Sequence, residues 1–150
     1  MIPLDISVPE TGKLTQLADD LYWARFDLPF RLNHINLYML DTPDGWCLID
    51  AGVNNEVTAA HWQMLLEGPL SGQPVAFILI THHHVDHMGY AGALESLTGA
   101  PCFSSAEEAV HGHWLFDLTP EEFGAILSRT YRWYGMPAET ILREAQSGSR

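Results

Sequence analysis

The stretch Thr81-His82-His83-His84-Val85-Asp86-His87-Met88-Gly89 decides the reading of this chain. Four of the seven residues from Thr81 to His87 are histidines and one is an aspartate. The run before it, Val75–Ile80, is short and continuously apolar, as in a strand buried on both faces. After it, helical spacing runs over Met88–Leu97 through Tyr90, Ala91, Leu94 and Leu97, and Gly99 suits the helix stop. A buried strand therefore gives way to imidazoles and a carboxylate, and then to a helix. Neutral imidazole nitrogens and carboxylate oxygens are good donors for zinc and related metals. In an extended segment, His82 and His84 project to one side and His83 to the other. Asp86 and His87, at the mouth of the helix, can be aimed at a second, neighbouring point. The run is internal and broken by Val85-Asp86, unlike an expression tag.

Upstream, Leu21–Phe26 and Ile35–Leu40 read as strands. Thr42-Pro43-Asp44-Gly45 is turn chemistry, and Trp46–Ile49 returns as a strand, so Ile35–Ile49 reads as a hairpin. It ends at Asp50-Ala51-Gly52, where glycine allows a sharp turn. Asn54 or Asn55 can cap a helix from about Asn55 to Glu67, with Val57, His61, Met64 and Leu65 on one face. Gly68–Pro74 reads as a loop.

Downstream, Pro101–Phe103 reads as a short strand, and Ser105 with Glu108 has capping-box spacing for a helix to about Gly112. Thr119-Pro120-Glu121-Glu122 is a stronger helix start, and Phe123, Ile126, Leu127, Thr130, Tyr131 and Tyr134 form one stripe behind it. Gly135 and Pro137 stop that helix, Pro137–Ala145 offers another, and Gln146–Arg150 reads as a frayed tail. There is no repeat or linker, so 1–150 reads as a single domain. Strands come first and then alternate with helices, which favours an α/β layer fold.

The 150 residues suffice for a buried core. Seven basic against nineteen acidic residues give a formal charge of −12, which disfavours nucleic acid and anionic membranes. No apolar run is long enough to span a bilayer, and the N-terminus lacks a signal-peptide pattern, so a cytoplasmic location is expected. Cys47 and Cys102 read as small buried hydrophobes. No Gly-rich phosphate loop or G-x-S-x-G nucleophile elbow is present.

The H-x-H-x-D-H pattern formed by His82, His84, Asp86 and His87 resembles the signature of the metallo-β-lactamase superfamily. Thr81 and Gly89 match its usual flanks. Leu28-Pro29-Phe30, Asn33–Leu40 and Leu48-Ile49-Asp50-Ala51-Gly52 resemble the N-terminal half of glyoxalase II-like members. The resemblance covers about Leu21 to Ser105. It implies half of a four-layer αββα fold: a mixed sheet flanked by helices, here followed by an insertion-like helical segment over about 105–146. It also implies zinc, usually as two ions, with iron or manganese as alternatives. His82 and His84 would serve the first metal, Asp86 and His87 the second, and Asp86 would also steady the attacking water. Asp50 reads equally as an outer group orienting these ligands or as an ordinary turn aspartate.

The same resemblance implies ligands beyond this set: a histidine beside glycine after a later strand, a bridging aspartate and a last histidine. His111, His113 and Asp117 sit in helix or loop contexts and fill these roles poorly. His34 and His61 read as ordinary packed or exposed histidines. The expected function is hydrolysis of an ester, thioester, lactone or similar bond in a small-molecule substrate by metal-activated water, from a truncated domain. Two other readings stand beside it. One is a non-catalytic metal-binding fragment. The other is an interaction module whose uncovered sheet pairs with a second copy or with a missing C-terminal half.

Overall fold

The computed structural model describes residues 6–29 and 31–147. Phe30 and residues 148–150 of the expected tail lie outside that range, while Gln146 and Ser147 belong to the last helix. The chain divides into two compact units, Met1–Ala109 and Val110–Arg150.

The first unit is built on one mixed sheet. β1 (Thr15–Gln16), β2 (Leu21–Asp27), β3 (His34–Thr42) and β4 (Gly45–Ile49) form an antiparallel meander. The predicted hairpin is its centre, closed at Thr42↔Gly45. β1 has no counterpart among the predicted strands, because two residues carry no periodicity. β5 (Val75–Leu79) then pairs parallel with β4, and β6 (Cys102–Phe103) pairs parallel with β5. Sheet order is the same as chain order.

The pleat sorts side chains by face. Ala24, Phe26, Ile35, Leu37, Met39, Leu48 and Ile78 are buried in one cluster with Trp62, Leu65 and Leu94 from the helices. Residues of the opposite set are less covered. Leu79, opposite Ile49 and Phe103 in the register, is 39% exposed, and Phe103 is 54% exposed. This corrects the expectation that β5 is buried on both faces. Its run is apolar throughout, but the described helices cover one side.

Helix α1 (Glu56–Glu67) crosses from β4 to β5. Asn55 caps it, its side chain accepting from Thr58 N at 2.8 Å. The buried face is Thr58, His61, Trp62 and Leu65, spaced i, i+3, i+4, i+7. Val57 and Met64, expected on that face, are 47% and 42% exposed. The indole of Trp62 wins the inward position. It is fully buried, packs edge-on to Phe26, and donates Nε1–H to the Ala51 carbonyl at 2.7 Å. Burying a side chain of this size contributes roughly 2–3 kcal/mol, provided its N–H finds an acceptor.

The helix expected over Met88–Leu97 begins three residues later, as α3 (Ala91–Thr98), and a separate short helix, α2 (Val85–Met88), precedes it. The break has a cause. Ala51 N–H donates to the His87 carbonyl and Tyr90 N–H donates to the Gly52 carbonyl, each at 2.8 Å. These bonds tie the helix start to the turn after β4. Leu94 points into the core while Leu97 is 56% exposed. Gly99 ends α3 in the left-handed conformation.

Helix α4 (Ala106–Phe116) runs past the expected stop at Gly112. In the second unit, α5 (Pro120–Trp133) begins with a complete capping box. Glu122 N–H donates to Thr119 Oγ1 at 3.2 Å, and Thr119 N–H donates to the Glu122 carboxylate at 2.8 Å. The expected stripe is only partly covered: Ile126, Leu127 and Tyr131 are half-buried, but Phe123 and Tyr134 are 38% and 83% exposed. Gly135 turns the chain into α6 (Ala138–Ser147).

Candidate metal centre

β4 and β5 are parallel, so their carboxyl ends emerge side by side. Asp50 N–H donates to the Leu79 carbonyl at 2.9 Å across this junction. In sheets flanked by helices, such ends are where ligands are usually held. Asp50 has φ of 64°, a left-handed conformation that aspartate tolerates better than most residues. The turn reading of Asp50 therefore holds, and its carboxylate also bonds to the histidine loop.

The Asp50 carboxylate is 5% exposed and organises the loop after β5. Its Oδ1 accepts the Thr81 backbone N–H at 2.8 Å, and Thr81 Oγ1 lies 2.9 and 2.8 Å from its two oxygens. Its Oδ2 accepts from His87 Nδ1 at 2.8 Å. Thr81 Oγ1 also lies 3.0 Å from His82 Nδ1. A hydroxyl has one proton, and an ionised carboxylate can only accept. Thr81 therefore donates to Asp50, and His82 Nδ1–H donates to Thr81. One carboxylate thereby sets Nδ1 of both rings as the donor toward it, directly or through Thr81, and turns Nε2 of each away from it. An imidazole oriented in this way through its second nitrogen is the usual form of a metal ligand.

Burial works most strongly against ionisation of Asp50, but the hydrogen bonds from His87 and Thr81 outweigh it and hold its pKa below the ordinary value. Burial, followed by the neighbouring His87 and His84 rings, pushes His82 down, which favours the neutral ligand form. For His87, burial pulls downward, while the hydrogen bond to Asp50 and the charges of Asp50 and Asp86 raise it overall.

The loop brings together all the residues singled out from the sequence. The His82 and His84 rings are 4.6 Å apart, centre to centre, and those of His82 and His87 are 3.9 Å apart. His87 Nε2 lies 3.6 Å from Asp86 Oδ2. Two imidazoles bound through nitrogen to one tetrahedral zinc stand with ring centres about 5 Å apart, so the His82–His84 spacing suits a shared ion. The donors thus fit a metal in kind and in pairwise spacing. Among the described residues, no group of three or more His, Cys, Asp or Glu side chains is arranged to close around an ion. The chain supplies pairs of donors rather than a finished cage.

The His83 ring lies edge-on to His84, ring centres 5.3 Å apart, and its Nδ1 is taken by Glu108. The His83 backbone N–H donates to Glu108 Oε2 at 2.8 Å, and its Nδ1 bonds to the same oxygen. Sequence reasoning assigned Glu108 only a capping role. Half of that role is present, Glu108 N–H donating to Ser105 Oγ at 3.2 Å.

The histidines outside the loop have other settings. His34 Nδ1 donates to Asn33 Oδ1 at 2.8 Å, and His61 is buried on α1. His111, His113 and Asp117 lie exposed in the second unit. Cys47 and Cys102 are free thiols in β4 and β6. Burial pushes both up, so neither is an activated nucleophile.

The fold agrees with that of known relatives. The chain belongs to the metallo-beta-lactamase superfamily, whose sequence pattern matches residues 31–148. It is similar to a beta-lactamase domain protein from Burkholderia ambifaria at 31% identity and TM-score 0.69, over 77% of this chain and 38% of that one. A metallo-beta-lactamase family protein from Thermus thermophilus matches at 30% identity and TM-score 0.64, over 87% of this chain and 43% of that one. The metallo-beta-lactamase FIM-1 from Pseudomonas aeruginosa, solved in a mono-zinc form, shares the fold at 19% identity and TM-score 0.54, over 68% of this chain and 45% of that one. The chain spans less than half the length of each of these solved relatives.

Proposed function

We propose that this chain carries the first ligand cluster of a metal-dependent hydrolase acting on an ester, thioester, lactone or similar bond in a small molecule. The observation that carries this reading is the Asp50–Thr81–His82 and Asp50–His87 hydrogen-bond set, which leaves Nε2 of both rings for ligation. His82 and His84 would hold one ion, and Asp86 and His87 a second. Zinc suits the donors best, with iron or manganese as alternatives. A bound ion of this kind supplies Lewis acidity and a hydroxide nucleophile at neutral pH. Asp86, at the open end of the loop, would accept a hydrogen bond from the attacking water and so orient it. A net charge of −12 favours small neutral or weakly charged substrates over nucleic acids. Among the described residues no helix is long and apolar enough to cross a membrane, and the proposed location is the cytoplasm.

The deciding experiment is metal content per chain on untagged protein, beside a variant with His82→Ala and His84→Ala. Retained metal in the parent and its loss in the variant are expected. Ester, thioester, lactone, lactam and phosphodiester panels would then be run on the metal-loaded chain. Equal metal content in both proteins would remove the ligand assignment, and no turnover on any panel would remove the hydrolase.

A second reading is favoured by one observation, the exposure of Leu79 and Phe103 at the β5–β6 edge of the sheet. Exposed apolar strands near an edge invite pairing with another chain. Metal uptake without turnover, together with a sedimentation coefficient that rises with concentration, would support a self-associating metal-binding module instead.

A further inference from the structure

We propose that Glu108 is a positioning residue for the histidine loop, acting through His83 to fix His82 and His84 on either side of it. The metal-binding part of this inference rests on the hydrolase reading above. The geometry behind it does not.

The loop has two ends and a middle. Asp50 holds both ends, through Thr81 at the start and His87 at the close. Between them, the His84 carbonyl accepts the His87 and Met88 N–H groups at 2.9 Å each, where α2 begins. Glu108 adds a restraint one residue earlier, at His83. A single oxygen, Oε2, takes both the backbone N–H and the ring Nδ1–H of His83. Two bonds from one residue to one atom fix the peptide plane and the ring together. The His83 and Glu108 side chains are 28% and 26% exposed, so solvent weakens these charge-assisted bonds only in part. With the His83 backbone and ring fixed, the residues on either side are held as well: His84 packs edge-on to the His83 ring at 5.3 Å, and the His82 and His84 rings meet 4.6 Å apart.

Glu108 lies in the first turn of α4, beyond β6 and remote in sequence from the loop. Ser105 Oγ anchors its backbone N–H, which steadies the helix end that presents the carboxylate. The loop is therefore braced by two carboxylates on either side of it in sequence, Asp50 before it and Glu108 after it. Outer groups of this kind typically change metal affinity by about 10–100-fold when removed.

Glu108→Ala and Glu108→Gln separate geometry from charge. One amide oxygen in the glutamine can accept both His83 bonds, so Gln is expected to restore what Ala loses. Two readouts are taken on the full untagged chain. The first is amide hydrogen exchange of the metal-free protein at His83, with Leu37 and Leu48 in the core as references. The second is cobalt(II) titration monitored by visible absorption. Glu108→Ala is expected to speed His83 exchange at least about tenfold, leave Leu37 and Leu48 unchanged, and weaken cobalt binding about tenfold or more. Glu108→Gln should stay close to the parent in both.

Parental exchange at His83 in Glu108→Ala would overturn the proposal. So would equal acceleration at Leu37 and Leu48, or a Gln variant as impaired as Ala. A parent chain that takes up no cobalt would remove the hydrolase reading, and the exchange data would still decide the clamp.

Discussion

Asp50 Oδ2 accepts the Nδ1 proton of His87 at 2.8 Å, which leaves His87 Nε2 on the side of Asp86, 3.6 Å from its carboxylate. A residue that ends one strand thus sets the ring of a residue well beyond the next. The effect is directional, since it fixes which nitrogen donates to the carboxylate as well as where the ring lies.

Asp50→Ala removes a buried carboxylate that accepts from Thr81 and His87, and so releases both His82 and His87. It is expected to lower stability by about 1–3 kcal/mol and to weaken metal uptake as well. Asp50→Asn, which keeps one carbonyl oxygen, should fall between parent and Ala. Urea denaturation beside cobalt titration checks both. Parental behaviour of the Ala variant in the two assays would show that the loop holds its shape without this carboxylate.

Stability should decline in mild acid through His61. Burial holds this ring below its ordinary pKa of 6.5, against a smaller upward pull from Asp27, and its Nδ1 has no hydrogen-bond partner among the described residues. The folded state therefore binds the proton less readily than the unfolded chain. The contribution is full above pH 6.5 and is lost progressively as pH falls below it and on through the lower folded value. Unfolding free energies at pH 7.5 and 5.5 should differ more in the parent than in His61→Leu. Equal differences would assign the acid sensitivity elsewhere.

Gly52 adopts φ of 89°, and a Cβ there would lie 2.8 Å from Thr58 Cγ2 inside the core. Gly52→Ala is expected to cost about 1–3 kcal/mol from backbone strain, with steric crowding added. Because the Gly52 carbonyl also holds Tyr90 N–H, the loss should extend to amide protection at Tyr90. A variant that melts with the parent would mean the turn relaxes without strain.

Helix α5 has no fully buried residue, so its start depends more on the capping box than a core helix would. Thr119→Ala is expected to cost about 1 kcal/mol, seen as faster amide exchange over residues 120–123. Unchanged exchange there would place the helix's stability in its packing.

What was legible in the sequence was the local chemistry. Thr42–Gly45 marked the hairpin, Asn54 or Asn55 and Thr119 the helix starts, Gly99 and Gly135 the stops, and Thr81–His87 a loop that brings several imidazoles and a carboxylate close together. What was hidden depended on competition or on distance. Val57, Met64 and Trp62 compete for the inward face of α1, and the indole wins because its N–H finds the Ala51 carbonyl in the interior. The break before α3 is imposed by the backbone of residues 51 and 52, which periodicity does not register. Leu79 belongs to a run apolar on both sides, and only the register reveals which side the helices leave open. The Glu108–His83 contact joins residues with no sequence pattern in common; the one available signal was the acidic residue at a helix start facing a histidine-rich loop.

The sheet changes from antiparallel to parallel pairing at β4, and this orders assembly in time. The meander from β1 to β4 closes through short turns, whereas β5 and β6 each return only after a helical crossover. Closing longer segments costs more chain entropy, and pairings of that kind form slowly. The histidine loop lies at the end of β5 and is latched by Asp50 on one side and Glu108 on the other. Its donors are therefore placed by the long-range pairings of β5 and β6, the class of contact that forms slowly, and not by the hairpins alone.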